Sequence, residues 1–238
     1  MVNQEVREMS EEAPEAPVIT VDGPGGSGKG SVAMRLAGKL GWHFLDSGAL
    51  YRLVAVAAMD RGIRPGEETA LGQVAHSLDV DFGISGDGMV ILLDGNYITG
   101  RLRSEDVSIF ASRIATFPEV RAALVHRQRA FRKLPGLVAD GRDMGTVIFP
   151  DAILKIFLTA SVEARAKRRY KQLKEKGESV NLSRLFRDIK KRDERDSSRA
   201  IAPLKPAEDA HVIDSTDLSI KEVVQEISDL LDKSQITY

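Results

Sequence analysis

Short apolar runs alternate with longer segments of helical periodicity along most of the chain. The runs that predict buried strands lie at residues 18–22, 43–46, 137–140, 153–158 and 211–214. The segments that predict helices lie at residues 28–40, 47–61, 104–133 with a break near Pro118, 162–176, 182–199 and 219–231. Strands that alternate with helices predict an α/β fold with a parallel sheet and helices on both faces.

Residues 68–112 interrupt this alternation. DVDFGIS and MVILLDG flank a glycine turn, GDG, and this pattern predicts two strands of an antiparallel hairpin. We therefore expect a small inserted subdomain at residues 67–113, and a core formed by residues 18–66 and 114–238.

The first 17 residues differ from the rest of the chain. They hold five Glu, one Arg and two Pro, without a periodic apolar face. Such a segment buries too little apolar surface to order itself, so we predict a disordered acidic lead-in.

The composition of the chain argues against several classes of function. The 34 Lys and Arg balance 35 Asp and Glu, which gives no overall basicity for nucleic acid binding. The absence of cysteine excludes disulfides, thiolate metal sites and a cysteine nucleophile, and is compatible with the cytoplasm. The apolar runs are shorter than a membrane span, and the amino-terminal end lacks a signal pattern. We expect a cytoplasmic protein without a nucleic acid or membrane partner.

A glycine-rich loop follows the first predicted strand and opens the first predicted helix. Its residues are Gly23, Pro24, Gly25, Gly26, Ser27, Gly28, Lys29, Gly30 and Ser31. Glycines let the backbone N–H groups wrap an anion, the helix N-terminus adds positive charge, and Lys29 can reach the β and γ phosphates of a nucleotide. A tight glycine turn with a solvated lysine is the alternative.

The loop departs from the usual pattern at one position. Gly30 stands where most phosphate loops place the hydroxyl that binds magnesium, and Ser31 comes one residue later. This form resembles the loop of the nucleoside monophosphate kinases, and the resemblance implies a metal held largely through phosphates and water, so we assign it no side-chain ligand.

Two further segments could bind anions. In DSGALYR, Ser47 is the predicted cap of a helix and Arg52 lies one turn inside it. In ADGRDMGT, the residues Asp140, Arg142 and Asp143 follow a predicted parallel strand, where ligands of open α/β sheets bind. A plain capped helix and an ordinary polar turn are the respective alternatives.

Basic residues concentrate late in the chain. Residues 165–195 hold 13 Lys or Arg against five Asp or Glu. This excess fits a solvated helix face. It fits a nucleic acid surface less well, because few aromatic residues lie nearby to stack on bases. Arg192, Arg195 and Arg199 recur three and four residues apart, with Asp196 beside them. Arginines on one helical face could clamp a transferring phosphoryl group.

Four blocks of this sequence together resemble the bacterial cytidylate kinases. They are ITVDGPGGSGKG, LDSGALYR, ADGRDMGTVIFPDA and KRDERDSSRAIAPL, in this order, within a resemblance from about residue 16 to about residue 231. It implies a P-loop kinase with a five-stranded parallel sheet, an inserted subdomain and an arginine-rich lid at about residues 167–180. It also implies a monomer that transfers the γ-phosphoryl group of ATP to CMP or dCMP with Mg²⁺.

The resemblance also implies roles for individual residues. The loop 23–31 would bind the ATP phosphates. The CMP phosphate would be held by Ser47, Arg52, Arg142 and Arg199; the cytosine ring by Ser112, Arg121 and Asp143; and the sugar by Arg192 and Asp196. We expect the residues closest to the transferred group to be Lys29, Arg142, Arg192, Arg195 and Arg199.

Two other functions remain open from the residues themselves. One is a kinase for a different small acceptor, such as another nucleoside monophosphate or shikimate. The other is a P-loop ATPase or switch that acts on a partner, although no clear partner-binding segment follows the nucleotide core.

Overall fold

The computed structural model describes residues 15–85, 88–98, 100–175 and 177–233. The strands are β1 Val18–Asp22, β2 His43–Asp46, β3 Val80–Ser85, β4 Gly88–Leu93, β5 Asn96–Tyr97, β6 Leu137–Gly141, β7 Leu154–Thr159 and β8 His211–Asp214. The helices are α1 Lys29–Leu40, α2 Ser47–Asp60, α3 Glu68–His76, α4 Glu105–Ile114, α5 Pro118–Arg129, α6 Val162–Glu175, α7 Leu182–Ser197 and α8 Ile220–Lys233.

Five strands form a parallel sheet in the order β2–β6–β1–β7–β8. Strand β1 pairs with β6, Val18 opposite Leu137 and Asp22 opposite Gly141, and with β7 on its other side. The predicted five-stranded parallel sheet is therefore confirmed. Because β1 and β6 are neighbours, the segments that leave their carboxyl ends begin side by side.

The sheet is covered on both faces, as its apolar strands require. One buried cluster includes Leu50 and Leu53 of α2, Val74 of α3, Ile114 of α4 and Leu124 of α5. The other joins α1, α8 and the opposite face of the central strands. No helix in the described ranges is long and apolar enough to cross a membrane.

The inserted segment contains the expected hairpin. Strands β3 and β4 pair antiparallel, and the turn residues 86 and 87 lie outside the described residues. Two elements were not predicted: the two-residue strand β5, which pairs with β4, and helix α3, which packs against α5. The structure thus joins the insertion to the core through helix packing.

Helices α6 and α7 form an antiparallel pair beyond the sheet. Gly177, with φ +77°, lies in the turn between them, and residue 176 is outside the described residues. The predicted lid at 167–180 covers the far half of α6 and this turn.

The chain enters the fold earlier than the sequence predicts. Residues 1–14 lie outside the described residues, so the prediction of disorder stays a prediction there. Ala16, however, is buried, and its carbonyl accepts a 2.7 Å hydrogen bond from Arg132 Nε. The carbonyl of Pro17 accepts from the Leu137 amide at 2.9 Å. Residues 16 and 17 therefore belong to the packed body, because they extend the pairing of β1 with β6.

Candidate active site

The glycine-rich loop lies between β1 and α1, where the sequence predicts it. Gly23, Gly26 and Gly28 have φ values of +150°, +83° and +94°. A Cβ at Gly23 would lie 2.1 Å from the Leu158 carbonyl oxygen, so only glycine fits there. Gly28 caps α1 without a side-chain hydrogen bond, which leaves the first amides of the helix available to an anion.

Side chains from outside the loop bind its carbonyl groups. Ser215 Oγ donates to the Ser27 carbonyl at 2.9 Å, and Arg168 Nη1 donates to the same oxygen at 3.2 Å. Arg165 Nη1 donates to the Gly25 carbonyl at 3.1 Å and also pairs with Asp193 of α7. These bonds fix the shape of the loop from behind. None of these four side chains was predicted to take part in the site.

Lys29 lies beside the carboxylate of Asp140. The Lys29 Nζ is 3.3 Å from the Pro24 carbonyl and 4.0 Å from Asp140 Oδ1. Burial lowers the pKa of Lys29, and Asp140 partly opposes that effect. Burial raises the pKa of Asp140 to about 6, against the attraction of Lys29. A Cβ at Gly30 would lie 3.0 Å from Asp140 Oδ2, so the backbone after the lysine passes close to this carboxylate.

A cleft next to this loop holds about 490 Å³ of empty space, part of it open to solvent. Its walls come from α2, α4, α5, α7 and the segment after β6. The residues expected to bind CMP that line it are Ser47, Arg52, Ser112, Arg121, Arg142, Asp143, Arg192 and Arg199. The fold thus brings together side chains that lie as far apart in the chain as Ser47 and Arg199.

Arg195 does not itself line this cleft, although it contacts Ser112, which does. It is exposed, its Nη1 is 3.4 Å from Ser112 Oγ, and it lines a separate open groove with Arg113 and Phe117. The structure therefore does not bring Arg195 together with the other arginines that were predicted to surround the transferred group.

The cap of α2 is Asp46, and the prediction that Ser47 caps this helix is wrong. Asp46 has an extended backbone, and its Oδ1 accepts from the Ala49 amide at 2.9 Å. Its Oδ2 accepts from Arg52 Nη2 at 2.8 Å, which fixes that guanidinium at the cleft. Ser47 is the first residue of α2, so its hydroxyl is free to line the cleft.

Asp196 lies behind the cleft and holds three arginines together. Its fully buried carboxylate is 2.5 Å from Arg142 Nε, 2.5 Å from Arg199 Nη2 and 3.9 Å from Arg192 Nε. Burial alone would raise the pKa of Asp196, but the three guanidinium groups hold it below its usual value.

The cluster carries more positive than negative charge. Repulsion from Arg142, together with burial, lowers the pKa of Arg192 to about 9. An excess of buried guanidinium groups is relieved by an anion, so this end of the cleft is suited to a phosphate group.

The phosphate loop and the arginine cluster adjoin each other. A Cβ built on Gly25 would lie 3.7 Å from Arg142 Nη2 and 3.7 Å from Arg192 Nη1. Transfer of a phosphoryl group between two bound phosphates requires two neighbouring anion-binding sites, and this arrangement is suited to that chemistry.

A buried ion pair forms the other end of the cleft. Arg121 Nη2 donates to Asp143 Oδ2, and Arg121 Nη1 lies 3.4 Å from the Tyr51 hydroxyl oxygen. Burial raises the pKa of Tyr51 to about 12, so its hydroxyl keeps its proton. A carboxylate, a guanidinium and a phenol in one wall can donate to and accept from a polar ring.

Sequence reasoning missed several side chains besides those behind the loop. Tyr51 lines the cleft, and Asp22 and Asp46 hold its walls. A weak signal was present for Asp22 and Asp46, since each is a charged residue that ends an apolar strand. Arg165 and Arg168 were counted only as part of a basic helix, which carries no such signal.

The chain is similar to known proteins over most of its length. The family model described as cytidylate kinase matches residues 19–233. A cytidylate kinase of Stutzerimonas stutzeri is 63% identical over 213 residues, which are 89% of this chain and 93% of that protein. The cytidylate kinase of Bordetella bronchiseptica is 58% identical, and the match covers 93% of this chain and 97% of that protein. The cytidylate kinase of Methylococcus capsulatus is 57% identical, and the match covers 88% of this chain and 94% of that protein. The resemblance found in the sequence is confirmed, and the chain belongs to the cytidylate kinase family.

Proposed function

We propose that this protein is a kinase that transfers the γ-phosphoryl group of ATP to CMP or dCMP, giving ADP and CDP or dCDP. The observation that carries the proposal is the contact between the phosphate loop at Gly25 and the cluster of Arg142 and Arg192. Family membership supports the class of reaction, and this close approach supports the location proposed for it.

Transfer depends on placement and charge. An oxygen of the CMP phosphate attacks the γ-phosphorus, the bond from that phosphorus to the bridging oxygen breaks, and ADP leaves. Lys29 and the loop amides stabilise the donor, while Arg142, Arg192 and Arg199 stabilise the acceptor and the charge that spreads between them. The acceptor phosphate is already anionic at neutral pH, so no side chain has to remove a proton from it.

We propose that the Arg121–Asp143 end of the cleft reads the cytosine ring. Cytosine presents an exocyclic amine, which donates, beside a ring nitrogen, which accepts. The Asp143 carboxylate can accept from the amine, and Arg121 can donate to the acceptors of the ring. Uracil reverses these two groups, so it would oppose a carbonyl oxygen to the carboxylate.

Magnesium fits the oxygen chemistry beside the phosphate loop. Asp140 Oδ1 is buried without a hydrogen-bond partner near Lys29, and a carboxylate is the type of ligand that Mg²⁺ prefers. Within the described ranges no group of three or more His, Asp or Glu side chains could hold a metal ion, which favours a metal bound largely by nucleotide phosphates and water. When bound, magnesium neutralises phosphate charge.

We further propose separate roles for two segments of the chain, as the sequence suggests. Residues 67–113 form the acceptor-side subdomain, and residues 167–180 form a lid that excludes water during transfer. The protein acts as a monomer in the cytoplasm, without a nucleic acid or membrane partner.

A coupled assay of ADP production tests the function. ATP and Mg²⁺ are offered with CMP, dCMP, UMP, AMP, GMP, shikimate or no acceptor. We expect rapid ADP formation with CMP and dCMP only. Equal rates with another acceptor would identify a kinase of different specificity, and ADP formed without any acceptor would identify an ATPase.

The variant Asp143→Asn tests the cytosine site. It keeps the shape of the side chain and removes the charge, so we expect kcat/KM for CMP to fall by ~10- to 100-fold while the value for UMP changes less. Asp209→Asn is the matched control, because Asp209 pairs with Lys155 and does not line the cleft. A CMP to UMP ratio that survives Asp143→Asn would place the base elsewhere.

A further inference from the structure

Asp22 ends β1 and points its carboxylate at the segment after β6. Its Oδ1 accepts from the Met144 amide at 2.9 Å, and its Oδ2 accepts from the Gly145 amide at 2.8 Å. The residue is only 5% exposed and does not line the cleft. Both oxygens are thus used to hold backbone that lies more than 120 residues away in the chain.

A charged carboxylate at this buried position is destabilised by the loss of hydration. Burial raises the pKa of Asp22 to about 7, the two amides oppose that rise, and the nearby Asp143 and Asp140 add to it. A neutral side chain would avoid the cost but could not accept from two N–H groups with two oxygens. The need to accept from both amides, and not the filling of space, therefore accounts for a carboxylate at this position.

The place of Asp22 suggests this purpose. Asp22 pairs with Gly141 at the last rung between β1 and β6, and beyond it the two chains separate. The next residue along one chain is Gly23, the first residue of the phosphate loop. Along the other come Arg142 and Asp143, which line the cleft. The bonds from Asp22 continue the link between these chains past the end of the sheet.

The held segment is compact enough to transmit this restraint. The Asp143 carbonyl accepts from the Val147 amide at 2.9 Å and from the Ile148 amide at 3.2 Å, which closes a single helical turn directly after Asp143. A Cβ at Gly145 would lie 2.8 Å from Thr20 Oγ1, so the turn also rests against β1. A shift of the Met144 and Gly145 amides would therefore move the backbone of Asp143.

We infer that Asp22 is a positioning residue that fixes Arg142 and Asp143 relative to the phosphate loop, and that it thereby sets acceptor affinity and the preference for cytosine. The inference deepens the proposed function and rests on it for the identity of the acceptor. Asp22 touches no substrate and acts only through the turn that it holds.

Kinetics of Asp22→Asn test this role. The amide retains one acceptor and turns its NH₂ group toward the other backbone N–H, so one bond is replaced by a repulsive contact. We expect KM for CMP to rise by ~10-fold or more and the CMP to UMP ratio of kcat/KM to fall by a similar factor. The KM for ATP should stay near that of the wild type, because β1 remains paired on both sides. A purely structural role would lower the active fraction and leave both KM values and the ratio unchanged.

Two further variants make the result specific. Ser228→Ala removes another buried polar group, on α8, where its hydroxyl donates to the Val224 carbonyl, and we expect no change in either KM. Asp22→Glu keeps the charge but extends the side chain by one methylene, so it should displace the turn and lower the same ratio even if Asp22→Asn does not fold. A wild-type ratio in either Asp22 variant, or an equal rise in KM for ATP, would overturn the inference.

Amide hydrogen exchange in the protein without nucleotide gives an independent reading. The Met144 and Gly145 amides should exchange faster in Asp22→Asn than in the wild type, and at the wild-type rate in Ser228→Ala. Unchanged exchange at these two amides would overturn the inference. If the wild-type protein does not phosphorylate CMP, the proposed function fails, whereas the exchange rates still decide whether Asp22 holds the turn.

Discussion

Removal of the charge of Asp196 is the strongest single perturbation that the arginine cluster offers. Asp196→Asn keeps the size of the side chain but takes away the carboxylate that Arg142, Arg192 and Arg199 share. The uncompensated charge of the cluster then rises from +2 to +3. The Asn amide also turns a donor toward one guanidinium, which has no acceptor to offer.

The burial of each partner sets the magnitude. Asp196 is 0% exposed, while the side chains of Arg199, Arg142 and Arg192 are 6%, 16% and 36% exposed. Loss of one partner from a buried pair costs ~3–5 kcal/mol, and water screens the contribution of Arg192. We therefore expect the free energy of unfolding to fall by ~3 kcal/mol, which for a domain of this size lowers Tm by ~6–12 °C.

Chemical denaturation followed by tryptophan fluorescence measures this loss. Trp42 is the single tryptophan and is buried, so it reports global unfolding. The matched control is Asp188→Asn on the same helix, since Asp188 pairs with Arg184 at 3.6 Å on the surface and its loss should cost below ~1 kcal/mol.

Phosphate should distinguish the two variants further. Inorganic phosphate supplies the missing negative charge, so it should stabilise Asp196→Asn more than the wild type and Asp188→Asn no more than the wild type. Equal stability losses in the two variants, or an equal response to phosphate, would refute the view that Asp196 neutralises the cluster.

Three further results are expected. Lys29→Ala should lower kcat by ~100- to 1,000-fold in the coupled assay with little change in Tm, and a variant with half the wild-type turnover would contradict the role of Lys29 at the donor phosphates. The folded pKa of Asp22 lies above its unfolded value, so its protonation stabilises the fold as pH falls from about 7 toward 3.8. The wild type should therefore gain stability over Asp22→Asn across that window in urea titrations, and a difference that grows with rising pH would be the wrong sign. In Gly136→Ala the new Cβ would lie 2.3 Å from the Trp42 ring, so thermal melting should show a loss of ~1–3 kcal/mol with kcat unchanged.

The sheet was predictable because each of its strands carries its own signal. Strands such as β1 and β7 are buried on both sides, so their sequences are short apolar runs that end at polar or glycine residues. Helix α3 has Leu71, Val74 and Ala75 on its buried face, but the glycine between them obscures the pattern. That glycine, Gly72, is required by packing, because a Cβ there would lie 2.9 Å from Glu119. Local sequence does not reveal such a contact.

The site was predictable in so far as side-chain types identify it. The phosphate loop and the residues of the cleft are short motifs, whereas the support behind them consists of bonds to backbone. Asp22 accepts from backbone amides, and Arg165 donates to a backbone carbonyl. The residue type of the partner therefore does not reveal these contacts.

Helical spacing alone did not place the three arginines. Arg192 and Arg195 lie on α7 and are turned by about 60° from each other, whereas Arg199 follows the end of that helix at Ser197. The common helical face that the sequence suggested therefore does not extend to Arg199.

The bonds behind the phosphate loop have a mechanical consequence. Arg165 and Arg168 tie the first turns of α6 to the Gly25 and Ser27 carbonyls, and Arg165 also holds Asp193 near the end of α7. The bases of both helices are thus bonded to the phosphate loop or to each other, and a lid movement of the kind proposed above would begin beyond Arg168. The seven remaining residues of α6 form a lever of about 10 Å at 1.5 Å per residue. If this segment closes as the proposed lid, its base would stay bonded to the phosphate loop while its tip moves.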